Sequence, residues 1–333
     1  MQVTLNVKRY DPEAADPTAC FEEFRIEAES HFTVLDGLIK VREEVDPSLA
    51  VRCSCRASIC GSCAMRVNGH AALACKTKLS TSLHDGAVSV EPMGNQRVVK
   101  DLVTDASLFW GKIRAVEPFL QPKGPEPEEE YIASNDAMLN LITPMGCIMC
   151  GACVSDCTVL EVDKNFLGPA ALAKAYRFVG DPRDEADADR LSTLNEYGGA
   201  WDCTRCYECV QVCPKGVAPM DRIMELREAI QRAGLPSTIG SRHVDSFARS
   251  VARSGWLDET LLAVESWGKF NVPKLMASAP VGIRALVRGK LPKGGPLHHK
   301  RPGAKNVERI FRRLEHAPST LAAVASKSGS AHD

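Results

Sequence analysis

The sequence predicts an α+β chain: a small sheet-and-helix domain first, a helical domain next, and a helical extension at the end. Three observations carry that reading. Near the N-terminus, apolar and polar residues alternate with the period of a half-buried strand. From about residue 131 the apolar spacing changes to three and four, the period of a helix. Between the two lies EPFLQPKGPEPEEE, rich in Pro and Glu, which reads as an extended surface connection. Domains are therefore expected at 1–116, 131–234 and 235–333, with 117–130 as the linker.

The elements follow in order. Val3, Leu5 and Val7 mark a first strand, and Phe24 with Ile26 a second one after the turn-like DPEAADP. Val34, Leu35, Leu38 and Ile39 repeat at helical spacing, in a helix that should stop before Pro47. Cys53 to Cys75 reads as a loop region, and Ala87 to Val90 as a closing strand. Gly168-Pro169 precedes AALAKAYRFV, where Pro suits the first helical turn. Leu172, Tyr176 and Val179 form its stripe, and Gly180 ends it. Pro219 opens a helix with Ile223, Leu226 and Ile230 on one face and Gly234 as its stop. Val244, Phe247 and Val251 repeat helically up to Gly255. Asp258 is placed to cap a helix carrying Leu261, Leu262 and Trp267. The closing ASKSGSAHD reads as a disordered tail.

Composition narrows the function. Of 333 residues, 44% are hydrophobic and 25% charged, as in ordinary globular chains. A net charge of −1 gives no overall field for nucleic acid, and no nucleic-acid partner is expected. No stretch approaches the roughly 18 apolar residues of a membrane span. The start MQVTLNVKRY lacks the apolar core of a secretory signal, so a cytoplasmic protein is expected. Cysteine is the outlier, with fourteen residues, twelve of them in three tight groups. Cytosolic thiols stay reduced, so metal is the natural reading.

The first group is Cys55-x4-Cys60-x2-Cys63, followed by Cys75. That is the loop of a plant-type [2Fe–2S] ferredoxin, in which three thiolates converge from one wrapped segment and a fourth reaches in from elsewhere. Gly61 and Ser62 are small enough for peptide N–H groups to approach the sulfurs. Cys53 breaks the spacing and is not expected to be a ligand. The second group is Cys147-x2-Cys150-x2-Cys153-x3-Cys157, and the third is Cys203-x2-Cys206-x2-Cys209-x3-Cys213-Pro214. Both match the run of bacterial two-cluster ferredoxins, whose fourth cysteine ligates the other cluster. Cys147, Cys150, Cys153 and Cys213 are therefore assigned to one [4Fe–4S] cluster, and Cys157, Cys203, Cys206 and Cys209 to a second. One departure is Thr158, which stands where Pro usually follows the fourth cysteine. Zinc is the competing reading, but it favours separated Cys pairs over four cysteines packed into eleven residues. Cys20 and Cys53 are expected to behave as small buried hydrophobes.

A family is visible at this point. RCSCRASICGSCAM at 52–65, LACKT at 73–77, FLGPAALAKAYRFVGDPRD at 166–184 and CVQVCPKGV at 209–217 resemble the iron–sulfur subunit of succinate dehydrogenase and fumarate reductase. The resemblance covers about the first 235 residues. It implies a β-grasp [2Fe–2S] domain followed by an α-helical two-cluster domain. It also implies a relay that passes electrons between a FAD-containing flavoprotein subunit and quinone, at the inner face of the cytoplasmic membrane, through partner subunits. In the common family form the residue matching Cys206 is not cysteine and the third cluster is [3Fe–4S]; here Cys206 supplies the fourth ligand, with [3Fe–4S] as the alternative. The common form also has a Trp shortly after the residue matching Cys157 and a His after the one matching Cys203. This chain has Val159-Leu160-Glu161-Val162 and Thr204 there, which argues against direct quinone binding by this chain. The cysteine loops hold no Ser/His/Asp or paired-carboxylate site, so no catalytic residue is expected on this chain, and flavin and quinone are expected on partner subunits.

The end of the chain offers a second likeness. SRHVDSFARSVARSGWLDETLL, RALVRGKLP and NVERIFRRLE look like the tail of the C-type subunits of heterodisulfide reductases. That likeness implies a quinone-side partner with CCG motifs in place of a membrane-anchor subunit. It also keeps a heterodisulfide reductase-like or thiol-linked fumarate reductase as the alternative function. Residues 281–314 hold ten Lys or Arg against one acid, Glu308, which is either a solvated face or a dock for an acidic partner or anionic lipid. His298-His299 reads as a surface pair, and Arg177 and Arg183 as structural ion-pair residues.

Overall fold

The computed structural model describes residues 1–268, 271–290 and 301–315. His298, His299 and the ASKSGSAHD tail lie outside the described residues. Two compact units divide the chain, residues 1–226 and 227–333.

The first unit opens with a sheet. Strands β1 (Gln2–Arg9) and β2 (Cys20–Glu27) pair antiparallel, with Leu5 opposite Phe24. Helix α1 (Val34–Lys40) follows and runs on through a wider π turn, Val41–Val45, before Pro47. A capping box starts it: Thr33 Oγ1 accepts from Asp36 N–H, and the Asp36 carboxylate accepts from Thr33 N–H. The region from Cys53 to Cys75 is not all loop. It contains a hairpin, β3 (Ala64–Val67) and β4 (His70–Leu73), turned by Asn68 and Gly69 with φ 50° and 85°. A single turn, α2 (Leu79–Ser82), leads into β5 (Ala87–Glu91), which pairs parallel to β1 and antiparallel to β3. The sheet order is β2-β1-β5-β3-β4.

One face of this sheet buries Val3, Leu5, Val7, Phe24, Ile26, Val88 and Val90 in one core with Val34, Leu35 and Leu38 of α1. Each such side chain, fully buried, contributes about 1.5–3 kcal/mol. Helix and sheet lie close enough that a Cβ on Gly37 would meet Leu5, Leu79 and Ile26 at 3.1–3.3 Å. Cys20 does not follow the expectation of burial. It shares the parity of Phe24 and Ile26, but it sits exposed at the free end of an edge strand. Cys53 does pack against the core.

A second hairpin, β6 (Arg97–Lys100) and β7 (Val103–Asp105), and helix α3 (Ser107–Ala115) complete the first domain. Asp101, at the hairpin turn, is 1% exposed. Its carboxylate accepts from the backbone of Tyr10 and Ala50 and from Arg9 Nε, each at 2.9–3.0 Å.

The rest of the first unit is helical: α4 (Asn135–Leu139), α5 (Ile142–Met145), α6 (Ala152–Ser155), α7 (Thr158–Val162), α8 (Pro169–Val179), α9 (Asp187–Asn195), α10 (Glu208–Gln211) and the first turns of α11 (Pro219–Arg232). Leu172 and Tyr176 of α8 are buried, with Phe178 in place of the expected Val179. Arg177 and Arg183 both pair with Asp181, at 2.6 and 2.7 Å, in the structural role expected of them. The linker is pinned where it enters this region. Buried Arg190 pairs with Asp184 at 3.0 Å and donates to the carbonyls of Val116, Glu117 and Phe119.

The second unit holds α12 (Ile239–Ser254), α13 (Glu259–Trp267), α14 (Val272–Val287) and α15 (Ala304–Glu315). Gly255 ends α12 with φ 71°, and Asp258 accepts from Leu261 N–H at 3.3 Å, as a cap should. Ser246 and Arg249 of α12 donate to Glu265 of α13. Ala304, at the start of α15, packs on Gly255. Among the described residues no helix is long and apolar enough to cross a membrane.

Candidate iron–sulfur cluster sites

The first cysteine loop winds through left-handed backbone at Arg56, Ser58 and Gly61, with φ 54°, 59° and 75°. That winding turns successive N–H groups inward. Ala57, Ile59 and Cys60 donate to Cys55 Sγ at 3.3–3.4 Å, and Ser58 donates to Cys75 Sγ at 3.3 Å. Cys63 precedes β3 and Cys75 follows β4, so the hairpin brings the two together; Ala74 N–H donates to Cys63 C=O at 3.1 Å. Ser62 joins these donors from the Gly61-Ser62 pair, hydrogen-bonding to the Cys60 thiol through its hydroxyl and its backbone.

The two later runs share one local geometry. Met149 and Gly151 flank Cys150 with φ 57° and 79°, and Arg205 and Tyr207 flank Cys206 with φ 59° and 69°. A short helix follows each, α6 and α10. The fourth cysteine of each run then lies against the other run. Cys147, Cys150, Cys153 and Cys213 line one cavity of about 400 Å³, counting its open mouth, with Val217 and Pro219. Cys157, Cys203, Cys206 and Cys209 line another of about 310 Å³, with Phe166 and Ile223. Val217 N–H donates to Cys213 Sγ at 3.4 Å. The Thr158 hydroxyl reaches Cys206 Sγ at 3.6 Å, a contact that Pro at that position could not make.

Burial and mutual repulsion govern these thiols. Burial pushes Cys209 up to about 12, and the neighbouring sulfurs of Cys203, Cys157 and Cys206 add to the rise. Burial raises Cys150 and Cys157 as well, and Cys153 well above an ordinary thiol. The sulfurs that act on Cys150 are Cys147 and Cys213; those that act on Cys157 are Cys206 and Cys203. In the first loop, burial raises Cys63 to about 12, while hydrogen bonds from Ser62 and the backbone hold Cys60 down at about 6. Several thiolates packed together in a buried space need a positive centre, which is what bound iron supplies. Zinc draws its sulfurs to about 2.3 Å from one point. Among the described residues no three His, Cys, Asp or Glu side chains gather to hold a single ion. The donor set fits clusters.

The first loop and the first run touch. A Cβ on Gly61 would lie 2.8 Å from the Cα and Cβ of Cys150. Around this contact the two domains are bonded by groups that the sequence pattern does not single out. Asp156, buried, accepts from Ala71 N–H at 2.8 Å and from Ser155 Oγ, with Arg66 at 3.6 Å. Asn95 donates to the carbonyls of Val154, Ser155 and Cys157, and its own carbonyl accepts from Lys164. A space of about 760 Å³, lined by Arg52, Cys60, Gly61, Thr104, Trp110 and Cys150 among others, opens beside it.

Comparison with known proteins agrees with these sites. The family model for a 2Fe-2S iron-sulfur cluster binding domain matches residues 4–111, and that for a 4Fe-4S dicluster domain matches residues 145–217. The fumarate reductase iron-sulfur subunit of Mycobacterium tuberculosis is 39% identical over 228 residues, 68% of this chain and 92% of that relative. The succinate dehydrogenase iron-sulfur subunit of Paracoccus denitrificans is 35% identical over 67% of this chain and 86% of its own length. The mitochondrial succinate dehydrogenase [ubiquinone] iron-sulfur subunit 1 of Oryza sativa is 34% identical over 68% and 81%. Among solved structures, a chain of the Mycobacterium smegmatis Sdh1 complex in the apo form matches with a TM-score of 0.65 at 29% identity, over 71% of this chain and 98% of that one.

Proposed function

The chain belongs to the family of succinate dehydrogenase and fumarate reductase iron–sulfur subunits, and from that premise we propose how its cysteines and its three segments divide the work. It is an electron-transfer subunit of such an oxidoreductase, with a [2Fe–2S] ferredoxin-like domain followed by a [4Fe–4S] dicluster domain. In our reading Cys55, Cys60, Cys63 and Cys75 hold the [2Fe–2S] cluster in a β-grasp domain. Cys147, Cys150, Cys153 and Cys213 hold one [4Fe–4S] cluster, and Cys157, Cys203, Cys206 and Cys209 the other. Such clusters, when bound, supply one-electron carriers. The chain's own part is to set their order and surroundings. The backbone of Ala57 to Cys60 donates hydrogen bonds to sulfur, which tunes a cluster's potential. The Gly61–Cys150 contact holds the first two sites together, and Thr158 completes the polar surroundings of Cys206.

The partners follow from the same reading. A FAD-containing flavoprotein delivers or receives electrons at one end, and a membrane-anchor or CCG-motif subunit handles quinone at the other, on the cytoplasmic side of the membrane. The observation that carries this proposal is the pair of cavities, each lined by three cysteines of one run and the fourth of the other. Cys213→Ser tests it. The cluster of Cys147, Cys150 and Cys153 should be the one damaged in EPR spectra, and damage to the other would refute the crossing. Iron content tests Cys206: about 10 atoms per chain are expected from two, four and four. About 9, with an oxidised [3Fe–4S] signal, would remove Cys206 from the ligands.

A further inference from the structure

We propose that α14 lies flat on an anionic lipid surface and fixes this chain to the membrane directly, a role distinct from cluster binding. The helix is amphipathic, and none of the described residues covers its apolar side. Val272, Met276, Ala279, Ile283, Leu286 and Val287 recur at the spacing of one helical face. Met276 is 71% exposed and Val287 80%, and no described residue of the helix is buried. Lys274, Ser278, Arg284 and Arg288 fall on the opposite side, with Val281 the one large apolar residue among them.

Along the chain that carries the helix the charge has one sign. From Gly268 to Val307 there are nine Lys or Arg residues and no Asp or Glu. That pattern complements a uniformly negative sheet of headgroups. A protein interface instead favours aromatic anchors and paired charges, and the stripe has neither. With 16 residues at about 1.5 Å each, the helix measures some 24 Å, short of the bilayer's hydrocarbon core. It therefore lies in the interface, its stripe in the acyl boundary and its basic side toward headgroups and water.

The test is flotation of the full-length, cluster-loaded chain with vesicles. Wild type should float with phosphatidylcholine vesicles containing about 30% phosphatidylglycerol, stay behind with phosphatidylcholine alone, and be released at about 0.5 M salt. Ile283→Glu with Leu286→Glu should abolish flotation at unchanged iron content and thermal stability. Arg284→Gln with Arg288→Gln should weaken it about 25-fold, roughly five-fold for each charge removed. Equal binding to neutral vesicles, or variants that bind like wild type, would overturn the proposal. So would loss of thermal stability in the glutamate variant without lipid, which would place the stripe inside the chain's own core. Loss of a co-purifying subunit at unchanged flotation would do the same, assigning the stripe to a protein. None of these readouts depends on electron transfer, so they stand or fall apart from the cluster assignment.

Discussion

Gly61 is the residue where fold and relay meet, and Gly61→Ala puts a number on that junction. The alanine would suffer twice. Its backbone has φ 75°, a region that costs an L-residue about 1–2 kcal/mol. Its Cβ would also sit 2.8 Å from the Cα and Cβ of Cys150, backbone that cannot swing aside. Restoring ordinary contact needs the loop and the first run to part by roughly 0.6–1 Å, and overpacking of that kind costs about 1–3 kcal/mol. The sum is about 2–5 kcal/mol. In a unit of residues 1–226, each kcal/mol lowers the melting temperature by roughly 2–4 °C, so a fall of roughly 4–20 °C is expected. Gly69→Ala supplies the control. Gly69 has φ 85°, but nothing lies within 4 Å of its Cβ position, so it bears only the backbone cost. The assay is thermal melting at one fixed scan rate, followed by circular dichroism and visible absorbance, with iron measured beforehand. EPR of the reduced protein should also show weaker magnetic coupling between the first two centres in Gly61→Ala and none of that change in Gly69→Ala. If the two variants melt alike and keep the same coupling, the Gly61–Cys150 contact does not hold the sites together.

Three further outcomes follow from the packing. Arg190→Met leaves the buried Asp184 carboxylate unpaired and should cost about 3–5 kcal/mol, with new protease cutting in the freed 117–121 segment; a cut pattern like that of wild type would count against the pinning role. Hydrogen bonds from Ser48, then from Arg9, hold the Asp46 carboxyl down at about 2. A depressed carboxylate stabilises above its unfolded value of about 3.9 and loses that stabilisation only as pH falls through about 2. The gap between wild type and Asp46→Asn should thus be constant from about pH 5.5 to 8 in thermal melts, and a gap that changes across that range would show another group at work. Cys53→Ala should keep the [2Fe–2S] spectrum, because Cys53 packs against the core; a bleached spectrum would make Cys53 a ligand.

Sequence is most readable where one residue type repeats at a fixed period. Val3, Leu5 and Val7 report a strand, Val34 to Ile39 a helix, and the cysteine spacings anticipate two cavities, each lined by three cysteines of one run and the fourth of the other. The β3–β4 hairpin carries a local signal as well, in Asn68-Gly69 between Met65, Val67, Ala71 and Leu73. The surrounding cysteines mask that signal, because their spacing alone suggests one continuous loop. Burial of Cys20 fails as an expectation because residue type gives cysteine's general tendency and not whether anything covers the end of an edge strand. Other features have no local signature at all. Asp101 and Arg9 are 92 residues apart, and Asp156 and Ala71 are 85 apart. Such bonds exist only once the sheet and the helices have brought distant segments together. The same holds for the contact of Gly61 with Cys150, where a glycine that suggests room for an N–H group makes room for another backbone.

The two cysteine runs are built alike but are not equally covered. At the first run the residue after Cys150 is Gly151, with φ 79°, and a Cβ there would meet Gln96 at 3.3 Å, with Met93 and Phe109 just beyond. That side faces the ferredoxin-like domain. At the second run the matching residue is Tyr207, with φ 69° and 51% exposed, next to the exposed Cys206. A tyrosine in left-handed backbone costs about 1–2 kcal/mol. Glycine would relieve it and lose roughly 0.5–1 kcal/mol in chain entropy. Tyr207→Gly should therefore melt at or slightly above the wild-type temperature with all its iron in place. If the side chain is kept for a docking partner at the exposed end of the relay, the same variant should slow electron delivery to quinone in the assembled complex. Dye reduction, which needs no such partner, should be untouched. Equal loss in both assays would make Tyr207 a support for the cluster and would remove the asymmetry as a marker of the exit.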